Sequence, residues 1–130
     1  MNEKALKTTL KAGAIVFGSS AVFLLIAPGV FLSLLSLDHN AQNAWSMRMM
    51  GITVFALAGN MLVHALSTNT AALKKVSWVM CVSAGALGVC TLSIPSHLTL
   101  FCVIYALVGF GFSISYAFNL LVAKRTAVKN

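Results

Sequence analysis

The sequence predicts an all-α integral membrane protein, a bundle of four transmembrane helices with both ends on the cytoplasmic side. Three observations predict it. Apolar residues make up 59% of the 130 residues and charged residues only 8%, whereas a soluble domain carries about 25% charged residues. The apolar residues gather into four runs of about 20 residues, the length a helix needs to cross a hydrocarbon core of about 30 Å. Basic residues fall almost entirely on one side once those runs are threaded through a bilayer. A chain so short and so poor in charge cannot cover its own surface in water. It reads as one domain over residues 1–130.

The first span is expected over about 12–35, interrupted at Pro28-Gly29. The stretch before the break is slightly short for a bilayer. Part of Val30 to Leu37 is therefore expected in the membrane, and whether proline kinks or ends the helix stays open. A polar loop, Asp38 to Asn43, offers Asp38 or Asn40 as a cap for a second span over about 44–66, headed by Trp45. A basic loop with Lys74 and Lys75 leads to a third span over about 76–94, which Pro95 ends. The fourth covers about 98–122, before the tail AKRTAVKN. Both odd spans end at a proline, in LLIAPG and TLSIPS, a weak echo of a duplicated hairpin. Strands are excluded by run lengths near 20 rather than about 10 with strict alternation. A cleaved leader is not expected, because the first run is long and no A-x-A site follows it.

Of nine basic residues, Lys4, Lys7, Lys11, Lys74, Lys75, Lys124, Arg125 and Lys129 lie on one face, leaving Arg48 near the other. Positive-inside then places both ends in the cytoplasm. The same distribution argues against a nucleic-acid footprint, which needs a basic stripe with interleaved aromatics. Cys81, Cys90 and Cys102 lie inside apolar runs without a Cys-x-x-Cys pair, and read as small packing residues.

No carboxylate lies in a span, which argues against a cation-coupled pump and removes the usual general acid or base. No phosphate loop, nucleophile elbow or HExxH motif occurs, so no catalytic residue, cofactor or metal is expected. His39, His97 and Asp38 share the outer face, but their loops carry no metal-ligand spacing. Arg48, about one turn into the second span, either snorkels, pairs with Asp38, or meets an anion or lipid headgroup. Asn60 and His64, spaced i, i+4, share a face, at a depth near Ser115, Tyr116 and Asn119 of the fourth span. These five are a candidate polar intramembrane cluster, as interhelical glue of about 0.6 kcal/mol per contact or as a ligand pocket. Ala84, Gly85 and Gly88 form a candidate helix-packing face, within the bundle or toward another subunit.

The stretch LLIAPGVFLSLLSLD, a short polar loop and AWSMRMMG resembles small bacterial four-helix membrane proteins of the DoxX-like type. The residues that carry the resemblance are Ala27, Pro28, Gly29, Trp45, Arg48 and Gly51. It implies an accessory role in a bacterial inner membrane, near respiratory or redox complexes, and carries over no catalytic residue. With so little chain outside the bilayer, the expected function is an accessory or interaction protein. It would dock on itself or on a larger membrane complex, with lipid and other subunits as partners and no nucleic acid. The alternatives are a homo-oligomeric transporter or channel, and a lipid- or quinone-binding protein with its site between spans two and four.

Overall fold

The computed structural model describes residues 2–127, with side chains described through Val122. The side chains of Lys124 and Arg125, and the whole of Lys129, lie outside the described residues. Five helices follow one another: α1 (Glu3–Ile26), α2 (Pro28–Leu34), α3 (Ala41–Leu66), α4 (Thr70–Leu92) and α5 (Leu100–Ala127). Four of them are long and apolar enough to cross a membrane, and α2 is the short exception.

Each boundary has a local cause. Asn2 caps α1 by accepting a hydrogen bond from the Ala5 amide at 3.2 Å, and Asn40 caps α3 from Asn43 at 2.8 Å. Asn69 does the same for α4 at 3.0 Å, and the Thr99 hydroxyl for α5 at 3.2 Å. α1 ends at Ala27 because Pro28 has no amide to continue the ladder. A new helix then starts with proline in its first turn, where the missing donor does no harm. Pro28 therefore ends the first span rather than kinking it. At 24 residues α1 is about 36 Å long without help, because Glu3 to Lys11 belong to the same helix as the apolar run. α2 folds back over the bundle end, with Phe31 and Leu32 buried.

α2 stops in a Schellman arrangement. Leu37 donates to the Leu32 carbonyl at 2.9 Å and Ser36 to Ser33 at 3.1 Å. The left-handed position is held by Ser36, with φ of 54°, where glycine is the usual residue. Ser36→Gly is expected to raise stability by about 0.5–1 kcal/mol, read as a higher melting temperature of the detergent-solubilised chain. An unchanged or lower value would mean that this turn carries no strain.

The long helices associate mainly as two pairs, α1 with α3 and α4 with α5. Small residues make both pairs possible. Gly18 faces the Ala58 methyl, and a Cβ on Gly51 would lie 3.1 Å from that of Leu24. In the second pair a Cβ on Gly109 would lie 2.9 Å from the Ala84 carbonyl oxygen and 3.2 Å from the Gly88 amide nitrogen, so these backbones nearly touch. Ser113 adds a hydrogen bond to the Cys81 carbonyl at 2.8 Å, and the Cys81 thiol donates to the Ser113 carbonyl at 3.3 Å.

The pairs meet through two clusters of side chains. At the end that carries the starts of α1 and α4, Leu6, Leu10, Met61, Leu73, Met80 and Tyr116 close the core. At the proline end Leu24, Phe31, Leu35 and Cys102 do so. There Phe31 meets the rings of Phe23 and Phe101 edge-on, each at 5.6 Å between centroids. Ser96 and Thr99 tie the α4–α5 connection to the Leu35 and Leu34 carbonyls at 2.9 and 2.7 Å.

The remaining surface is inverted relative to a protein in water. Ile26, Ile15 and Leu100 are 77%, 70% and 76% exposed, and similar side chains stud every long helix. Only 22–33% of each candidate span is buried inside the bundle. Such a surface is compatible with hydrocarbon.

Candidate functional site

Asn60, His64, Ser115, Tyr116 and Asn119 do not come together as one cluster. They divide between two faces. On α3 the Asn60 amide nitrogen donates to its own helix, at the Ala56 carbonyl, 2.9 Å away. His64 Nδ1 lies 2.8 Å from the Asn60 backbone oxygen, which fixes the ring proton on that nitrogen. Both residues line a hollow of about 220 Å3 between α3 and α4, opposite Lys75, Val76 and Val79.

On α5 the Ser115 and Tyr116 side chains turn toward α1. The Ser115 hydroxyl is 3.2 Å from that of Thr9, and the Tyr116 hydroxyl reaches the Thr9 carbonyl at 3.5 Å. Asn119 donates to the Ser115 carbonyl at 2.8 Å, while its own carbonyl accepts from the Asn2 amide at 3.4 Å. Helical phase separates the two groups. Tyr116 is wholly buried, whereas Asn60 projects from the bundle surface. Depth along a span was readable from the sequence; direction around the helix axis was not.

Ala84 and Gly88 are used inside the chain, against Gly109 and the Phe110 ring. Gly85 faces the Ser113 hydroxyl, 3.1 Å from where its Cβ would stand. This face is therefore occupied by α5 and is not open to a second subunit. The small residues with free space are elsewhere. A Cβ on Gly59 or on Gly111 would meet nothing within 4 Å. Gly59 lies beside Asn60 and one turn from Ala56, on the outward side of α3.

Arg48 forms no ion pair with Asp38 or with any other described residue. Its side chain borders a hollow of about 500 Å3 at the α1–α2 break, together with Pro28, Gly29, Ser33, His39 and Ala44. A third hollow, of about 250 Å3, lies between the two helix pairs near the proline end. It is lined by apolar side chains, among them Leu24, Met47, Met50 and Leu87, with Tyr105 at its wall. His39 and His97 do not join Asp38 around a common point, and among the described residues no group of three metal-ligating side chains forms. The three cysteines are free thiols: Cys81 and Cys102 are buried, while Cys90 is exposed.

No family model, no curated protein and no solved structure matches this chain. The DoxX-like resemblance therefore stands on Ala27, Pro28, Gly29, Trp45, Arg48 and Gly51 alone. In the structure Ala27, Pro28, Gly29 and Arg48 border one hollow. Gly51 receives α1 at Leu24 and Leu25, one turn from where Arg48 faces the break at Pro28.

Proposed function

We propose that this chain is a multi-pass membrane interaction protein that docks sideways on another transmembrane helix through the outward face of α3. The observation that carries the reading is the pairing of Gly59 with Asn60. Gly59 leaves the backbone open to close approach. The Asn60 side-chain oxygen accepts no hydrogen bond from any described residue, although it projects from an apolar helix surface. An unmet polar atom facing hydrocarbon favours any neighbour that supplies a donor, and small residues beside it let that neighbour come near.

The partner is a second copy or a larger membrane complex, and a carboxamide, with donor and acceptor together, is self-complementary. On the DoxX-like resemblance and the positive-inside pattern, the membrane is a bacterial inner membrane with both chain ends in the cytoplasm. No enzymatic role is assigned. A conduit draws less support, since Asn60 and His64 border the hollow beside α4 while the Asn119 side chain donates to its own helix. The apolar hollow between the helix pairs favours, as a second reading, a bound lipid tail or quinone. Mass spectrometry of an organic extract of the purified protein tests it, and bulk lipids in bulk proportions would count against it.

The main test is association in mild detergent or native membranes. Asn60→Leu and Gly59→Leu are expected to abolish cross-linking or co-purification while leaving the unfolding free energy within about 0.5 kcal/mol of the parent, as for exposed sites. Unchanged association in both variants would remove the reading.

A further inference from the structure

We propose that Arg48 and His39 form a phosphate-binding site at the α1–α2 break, in the position to hold the headgroup of an anionic phospholipid. This inference is independent of the docking face on α3 and uses the opposite end of the bundle.

The sequence contains only two acidic residues. Glu3 lies at the other end of the bundle, where it accepts a hydrogen bond from Thr70 at 3.1 Å. Asp38 is exposed and forms no ion pair. The Arg48 guanidinium thus has neither counter-ion nor hydrogen-bond partner in the described chain. It lies one turn inside Trp45, at the edge of an apolar surface. A permanent cation there is stabilised by an anion supplied from outside.

Breaking α1 at Ala27 and restarting at Pro28 opens the hollow of about 500 Å3 that Arg48 borders. The imidazole of His39 stands where a Cβ on Gly29 would be, so only glycine admits that ring to the wall. Arg48 and His39 both line this hollow, and a guanidinium fork with an imidazole nearby is a pairing suited to phosphate oxygens.

Ile26 and Val30 line the hollow and are 77% and 54% exposed, and Trp45 and Ile52, one turn to either side of Arg48 on α3, are 63% and 58% exposed. A free anion gains nothing from these side chains. A phospholipid gains contacts for its acyl chains while its phosphate meets the guanidinium, and a net anionic headgroup neutralises a charge that a zwitterion leaves partly unmet.

The test is native mass spectrometry of the full chain in detergent. Phosphatidylglycerol, phosphatidylcholine and inorganic phosphate are added in separate titrations. Retention of phosphatidylglycerol over phosphatidylcholine is expected, with occupancy reduced about tenfold in Arg48→Gln and less in His39→Gln. Lys11→Gln, which removes an exposed charge at the other end, is expected to leave occupancy unchanged. Displacement of the lipid by millimolar inorganic phosphate, together with phosphate binding that Arg48→Gln abolishes, would keep the phosphate site and assign it to a free anion. Equal lipid occupancy in Arg48→Gln and the parent overturns the proposal. So does an Arg48→Gln variant that loses thermal stability but not lipid, because Arg48 would then serve the fold and not a ligand. An equal loss in Lys11→Gln overturns it as well, as unspecific attraction to a basic protein.

Discussion

Gly109→Leu is expected to force α5 away from α4 and to destabilise the fold by about 3 kcal/mol or more. Here a Cβ would come within 2.9 Å of the Ala84 carbonyl oxygen and 3.2 Å of the Gly88 nitrogen. Both obstacles are backbone, so no side-chain rotation relieves them. The helices must separate, and separation also stretches the hydrogen bond from Ser113 to the Cys81 carbonyl at 2.8 Å. In lipid this loss is not made good by hydrophobic burial elsewhere, because helix association there rests on close packing and interhelical hydrogen bonds. Gly111→Leu is the control, as a Cβ there meets nothing within 4 Å. The denaturant midpoint of the purified chain, unfolded by increasing sodium dodecyl sulfate, should fall sharply for the first variant and hardly at all for the second. Equal shifts would contradict the close approach of α4 and α5.

Tyr116→Ala carries the other large expected effect, about 3–5 kcal/mol. Tyr116 is fully buried and stacks on Phe112 at 6.4 Å between centroids. Its hydroxyl oxygen lies 3.3 Å from where a Cβ on Gly13 would stand, so the ring spans from α5 to α1. Truncation leaves a cavity at the point where the two helix pairs lock together. Tyr116→Phe keeps the ring and loses only a hydrogen bond to the Thr9 carbonyl that is already long, at 3.5 Å. Its expected cost is below about 1 kcal/mol. The contrast between the two variants separates packing from polarity. Should phenylalanine prove as damaging as alanine, Tyr116 acts through its hydroxyl, and a polar role for this residue returns.

The small residues show how far the sequence could be read. Ala84 and Gly88, spaced by four, announce a face for close packing, and the structure uses that face within the chain, against Gly109. Nothing in the spacing distinguishes an internal partner from an external one. Gly59, with equal claim by composition, is left uncovered. The break at Pro28 was legible because proline lacks the amide that a helix needs. Its outcome, a short helix folded back over the bundle end, depended on Phe31 finding Phe23 and Phe101. The hollow that this leaves beside Arg48 has no counterpart in any sequence motif.

The sequence by itself determined the class of the molecule: helices, four of them long and apolar, with Asn40 among the caps it offered for the second span. Run length, charge and capping are local properties, and each is written in consecutive residues. Tertiary structure alone decided which faces of those helices meet. In spans this uniformly apolar, hydrophobicity does not mark an inner side, and only the fit of glycine, serine and aromatic side chains between neighbours selects one. That selection buried Tyr116, left Asn60 outside, and set Arg48 beside a hollow with no counter-ion of its own.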